Sequence, residues 1–291
     1  MEVNQDLQKD IRSLISMLDE PDMNLYGKIS QSIINIGDPA MEMLEEAKDN
    51  TFDPDMSERL EEVILAIHTN NIKEDLKAWK HSYNKDILQL LQILNKFHNR
   101  RLDTLELNDR VNSMHKVIWL EMNEDLTSLE CIRLVNHFIF RTWQYKPDTS
   151  DKPETDLFFL NNAIKNKTAH PSMLGALYLG LCQRLNLPVY YVALPENFIL
   201  AYTSQTSFKP AIETTIVLFY TNPLLEGIIF NMSEIKRFLK NHDIESRSEF
   251  FEPANNLLVA SLLLREMKEL YQASGNKMKT NSVNQLIDSL V

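Results

Sequence analysis

Six glycines in 291 residues are too few for a Gly-rich phosphate loop or a loop-dominated all-β design. Cysteine is nearly absent as well. Cys131 and Cys182 form no Cys-x-x-Cys pair and no disulfide framework, and both sit in apolar helical patterns. Two thiols of that kind are expected in a reducing cytoplasm. The seven histidines are scattered without an i, i+4 pair, so no metal site and no cofactor are expected. No run of about 20 apolar residues is present, and the N-terminal stretch lacks a basic segment followed by an apolar one, so neither a membrane span nor a signal peptide is expected. Positive charge is in deficit: the net charge of −11 repels phosphate backbones and gives anionic membranes nothing to attract.

What is abundant is Leu, Ile, Met, Glu and Lys, which favours helix, and 44% hydrophobic residues are enough for a real core. Leu7, Ile11, Leu14, Ile15 and Leu18 fall on one helix face. Leu25, Ile29, Ile33 and Ile36 form a second face, ended by Gly37. The tripeptide Pro21-Asp22-Met23 recurs 33 residues later as Pro54-Asp55-Met56, each copy followed by an Ile-rich amphipathic helix. This resembles a pair of HEAT-like hairpins; an ordinary helical bundle is the plainer alternative. Thr127 and Glu130 read as a capping box before Ile132, Val135 and Ile139.

From Leu157 the pattern changes. A helix is expected over Leu157 to Lys165, and another opens at His170-Pro171, with Pro suited to the first helical position. Leu174, Leu177, Tyr178, Leu181 and Leu185 give the latter a buried face. Strand-like runs follow at Val189 to Leu194, Phe198 to Tyr202 and Thr214 to Tyr220. Helices are expected at Met232 to Lys240, Pro253 to Ala273 and Asn281 to Leu290, the last two forming a tetratricopeptide-like hairpin. The boundaries expected are 1–83 for the HEAT-like helical region, 84–250 for the core with its preceding helices, and 251–291 for the C-terminal hairpin.

The turn Ala169-His170-Pro171, the helix pair Leu177-Tyr178, the break Leu187-Pro188, the strand entry Leu194-Pro195-Glu196-Asn197-Phe198 and the strand end Tyr220-Thr221-Asn222-Pro223-Leu224 occur in that order. In order and spacing they resemble the bacterial SirB-type transglutaminase-like family. That resemblance implies an α+β, mostly helical fold: a HEAT-like N-terminal region packed on a transglutaminase-like, papain-type core with a small antiparallel sheet, then a C-terminal helical hairpin. A thiol enzyme of this kind needs a Cys at the helix start, then a His, then an Asp. Here the corresponding positions hold Ser172 or Met173, then Asn197, then Asn222, spaced 25 and 25 residues apart from Ser172. None makes a thiolate, and neither Asn can take a proton.

The expectation is therefore a pseudoenzyme with no catalytic residues: a cytoplasmic platform for a protein or peptide partner, with regulation as one role open to it. The rival is an acyl-transfer or peptidase-like enzyme using Ser172 or an unforeseen thiol. The two asparagines are expected to bond to each other or to backbone, and His170 to cap its helix. Candidate rim residues are His170, Tyr190, Tyr191, Glu196 and Tyr202, of which at least two tyrosines are expected to pack in the core.

Overall fold

The computed structural model describes residues 2–150, 154–195, 197–204 and 216–290. Four helices come first: α1 (Glu2–Ser16), α2 (Met23–Ile36), α3 (Met41–Asn50) and α4 (Pro54–His81). Asp22 caps α2 by accepting from the backbone N–H of Asn24 and Leu25, and Asp53 caps α4 through that of Asp55. Gly37, at φ +74°, closes α2. The repeated tripeptide therefore sits in two registers: Pro21 precedes its cap residue, whereas Pro54 is the first residue of its helix. Helix α1 packs on α2 and α3, and α4 on α2 and α3. Between them lie Ile11, Leu18, Ile33, Leu44, Leu60 and Ile64.

Helix α4 has 28 residues, roughly 42 Å at 1.5 Å per residue. Leu60, Val63, Ile64 and Ile67 belong to the N-terminal core, but Leu65, Ile72, Leu76 and Trp79 belong to the main one. The expected boundary at residue 83 thus follows a helix shared by both cores.

The main core collects α5 (Ile87–His98), α6 (Thr104–Glu121) and α7 (Ser128–Asn136), the last continued by a π-helical turn over His137–Thr142. The Thr127–Glu130 capping box starts α7. Strand β1 (Lys146–Pro147) pairs in parallel with β2 (Thr168–Ala169), bracketing a 3-10 turn (Thr155–Phe158) and α8 (Leu160–Asn166). A single helix from Leu157 to Lys165 is therefore not what forms; the chain breaks at Phe159, which is extended. Helix α9 (Pro171–Arg184) runs through the centre. Every position from Ser172 to Cys182 is buried, because α5, α8 and the sheet surround it.

The sheet is antiparallel in the order β3 (Val189–Val192), β4 (Ile199–Thr203), β5 (Val217–Asn222), β6 (Ile228–Phe230). The part of the expected third strand before Ile216 lies outside the described residues. One sheet face, with Val189, Tyr191, Leu200, Tyr202 and Phe219, joins the main core. The other, with Val192, Ile199, Ala201 and Tyr220, is covered by Ile235 and Leu239 of α10 (Met232–Asn241) and by Phe250. All five residues of β4 are buried, because both faces of the sheet are covered. Helices α11 (Asn256–Ala273) and α12 (Lys277–Leu290) finish the chain, and α12 packs back on α4. Asn255, not Pro253, starts α11, by accepting from Leu258 N–H. Among the described residues no helix is long and apolar enough to cross a membrane. The architecture is α+β and mostly helical.

Candidate functional site

The start of α9 is fixed from three sides. His170 holds the cap position, and its N–H donates to Leu157 O at 2.9 Å. Pro171 takes the first helical place, where a missing N–H costs nothing. Ser172 follows and is buried. Behind it, Gly175 leaves room for the Phe198 ring; a Cβ there would collide with that ring. A helix with any larger residue at this point would stand off from the strand entry.

Helix α11 lies alongside α9, running the opposite way. Asn256 and Gln183 exchange side-chain hydrogen bonds at 2.9 and 3.1 Å, and Ala254 N–H donates to Tyr191 O at 2.7 Å. Ten residues along α11 from Asn256 and eleven back along α9 from Gln183 are roughly 15 and 16 Å of helix. Those two distances bring Glu266 opposite Ser172. The Ser172 hydroxyl donates to Glu266 Oε1 at 2.7 Å, across 94 residues of sequence. Glu266 Oε2 lies 3.8 Å from His170 Nδ1. These last two atoms are buried and have no hydrogen-bond partner among the described residues.

Burial raises the Glu266 carboxyl to about 7; the Ser172 hydroxyl opposes that rise, and the like charge of Glu269 adds to it. Burial lowers the His170 imidazole, against the pull of Asp148. Near neutrality the pair therefore consists of an uncharged imidazole and a carboxyl close to its midpoint. The His170 side chain does not cap α9 as expected; its ring stands edge-on to Phe158 with centroids 5.2 Å apart.

These groups face a cavity of about 410 Å³ whose walls also include Tyr191, Leu194, Phe198, Leu224 and Leu262. Asn197 lines it too, with its amide Nδ2 donating to Pro195 O at 3.1 Å. Of the sequence candidates, the structure thus gathers His170, Ser172, Tyr191 and Asn197. Met173 is fully buried in the main core. Asn222 does not line the cavity; its Oδ1 accepts from Leu224 N–H at 2.9 Å and starts a 3-10 turn that carries Leu224 to the wall. Both asparagines bond to backbone rather than to each other. Tyr190 lines a separate cavity beside Asp86 and Arg184, and Tyr202 stacks on Phe219 inside the core, so neither is a rim residue. Glu196 lies outside the described residues.

Neither cysteine lines the cavity. Cys182 is fully buried, and burial pushes its thiol far up. Cys131 is buried and also raised, by burial and by Glu130. Among the described residues no three His, Cys, Asp or Glu side chains are grouped to hold a metal ion.

A family model described as the transglutaminase-like superfamily matches residues 105–265, more than half of the chain. The chain belongs to the transglutaminase-like superfamily. It is also similar to a UPF0162 protein of Pasteurella multocida (strain Pm70), at 24% identity over 98 residues, 34% of this chain and 37% of that protein. The match thus spans little more than a third of the curated relative's length. No solved structure matches. The superfamily match runs from α6 into α11 and ends at Arg265, one residue before Glu266.

Glu266 is the site residue that motif reading misses. On α11 it shares a stripe with Val259, Leu263 and Leu270, seven, three and four residues away. An acid inside an apolar stripe is the signal that could have found it.

Proposed function

We propose that this member of the superfamily is of the SirB type and serves as a binding platform for a protein or peptide segment, not as a thiol enzyme. The observation that carries this is the makeup of the cavity. It keeps an apolar and aromatic wall, while Asn197, which the family resemblance sets where the thiol enzymes hold their His, spends its amide on Pro195 O. An extended segment with one apolar anchor suits such a site. Tyr191 is the aromatic most suited to contact it.

The finer architecture follows the same reading. The paired packing of α1 with α2 and α3 with α4 supports HEAT-like hairpins. The pair α11 and α12 supports a tetratricopeptide-like ending. The division at 83 and 250 is then one of repeat type rather than of separate cores. The net charge of −11 argues against nucleic acid as partner, and two free thiols suit the cytoplasm.

The test is Asn197→Trp, which fills the cavity, compared with wild type in partner capture from the native host. With circular dichroism unchanged, captured partners are expected to fall away. Undiminished capture by the folded variant would move the binding surface elsewhere. A second reading, an acyl-transfer or peptidase-like enzyme, has one observation in its favour: a hydroxyl and a proton acceptor within hydrogen-bond reach in the cavity.

A further inference from the structure

We propose that Ser172 is a nucleophile with Glu266 as its general base, and that the cavity takes an uncharged, apolar acyl group from an ester or amide. This rests on the reading that the cavity admits a partner segment, and adds a reaction to it. It uses no thiol and no histidine base, so it does not depend on the positions held by Asn197 and Asn222.

Four observations meet at this point. The hydroxyl already donates to the carboxyl at 2.7 Å, within the reach that base catalysis needs. The carboxyl's second oxygen faces His170 Nδ1 at 3.8 Å, with both atoms buried and unbonded. A small rotation closes that gap, giving the base a third group to orient it; His170 is thus a positioning residue. The first turn of α9 receives no side-chain cap, so the N–H groups of Ser172 and Met173 are suited to a developing oxyanion. Finally, among the described residues the lining includes no Lys or Arg, and Leu194, Phe198 and Leu262 form its apolar wall. A carboxylate-bearing acyl group finds no counter-ion there beside Glu266. The raised carboxyl supports the same assignment, since a base that titrates near 7 is available in both forms at neutral pH.

The reaction balances with water as the second reactant. Ser172 Oγ bonds to the carbonyl carbon while its proton passes to Glu266 Oε1. The bond to the leaving alcohol or amine breaks, and that group takes the proton from Glu266. Water then attacks the acyl-serine ester and gives a proton to Glu266. The acid leaves as this proton returns to Ser172 Oγ. One water is consumed, and one acid and one alcohol or amine are released.

The test uses the full chain with a fluorophosphonate probe and with p-nitrophenyl butyrate beside its succinate analogue. Mass mapping is expected to place the adduct on Ser172. Ser172→Ala should abolish it, and Glu266→Gln should slow it at least tenfold. Butyrate should turn over faster than succinate, rising with pH through a single step near 7 that Glu266→Gln lacks. His170→Phe, which keeps the ring's bulk and burial but removes its ring nitrogens, should shift the midpoint of that step, which a packing role alone would not do. No adduct on Ser172 in the folded protein, or equal labelling of Glu266→Gln, overturns the proposal. Labelling and partner capture fail separately: loss of the adduct with Asn197→Trp still blocking capture removes only the reaction, and the reverse removes only the binding reading.

Discussion

Glu266→Gln should make this protein more stable at pH 8 while leaving it nearly unchanged at pH 4.5. The carboxyl is raised from 4.5 to about 7, chiefly by burial. A group raised in the folded state holds its proton there after the unfolded chain has released it. Stability therefore falls as pH rises from about 4.5 to about 7, and stays low above that. Each tenfold in proton affinity is about 1.4 kcal/mol, so the full cost at pH 8 is roughly 3 kcal/mol. That figure is an upper bound, because about a quarter of the side chain (24%) is exposed and reaches water. Gln keeps the shape and an acceptor for Ser172 but cannot ionise. The groups that face this carboxyl are His170, Glu269, Ser172 and Tyr191, and the substitution leaves all of them in place. Urea denaturation of both proteins at pH 4.5, 6 and 8 measures the difference directly. If the gap between variant and wild type does not widen from pH 4.5 to pH 8, the carboxyl is not desolvated and the electrostatic account of the site is wrong.

Gly175→Ala places a methyl group against the Phe198 ring; a loss of about 1–3 kcal/mol is expected in denaturant melts, and no loss would mean that α9 and the strand entry are looser than described. Cys131 and Cys182 are both buried with raised thiols, so iodoacetamide at pH 7 should label the folded protein far more slowly than the unfolded one. Rapid stoichiometric labelling of either would revive a thiol mechanism.

Local features were legible in the chain because they are made by neighbours. Gly37 ends its helix and Thr127 with Glu130 starts another, as short-range chemistry dictates. The order of helix α9 and strands β3 to β5 followed from apolar periodicity. The fourth strand did not, since Ile228–Phe230 is only three residues and pairs through a turn that reads as a loop. At the site, Ser172 was legible from its place at a helix start. Met173 could not be set aside from sequence, because one step along a helix turns a side chain by about 100° and only the packing around α9 says which of the two faces the cavity. Asn222 was drawn to the site by spacing, yet its side chain serves its own turn. The role of Glu266 was harder to read for the opposite reason: its partner is 94 residues away, and the register between α9 and α11 is set by Gln183 and Asn256.

Because α4 supplies walls to two cores, the N-terminal helices are not a free-standing unit. Loss of α1 to α3 uncovers Leu60, Val63, Ile64 and Ile67 on a helix whose other half still holds Leu76 and Trp79 in place. Fraying from that end runs along a continuous hydrogen-bonded rod toward α12 and α5. A fragment cut within the first 83 residues inherits an exposed greasy ridge rather than a clean end.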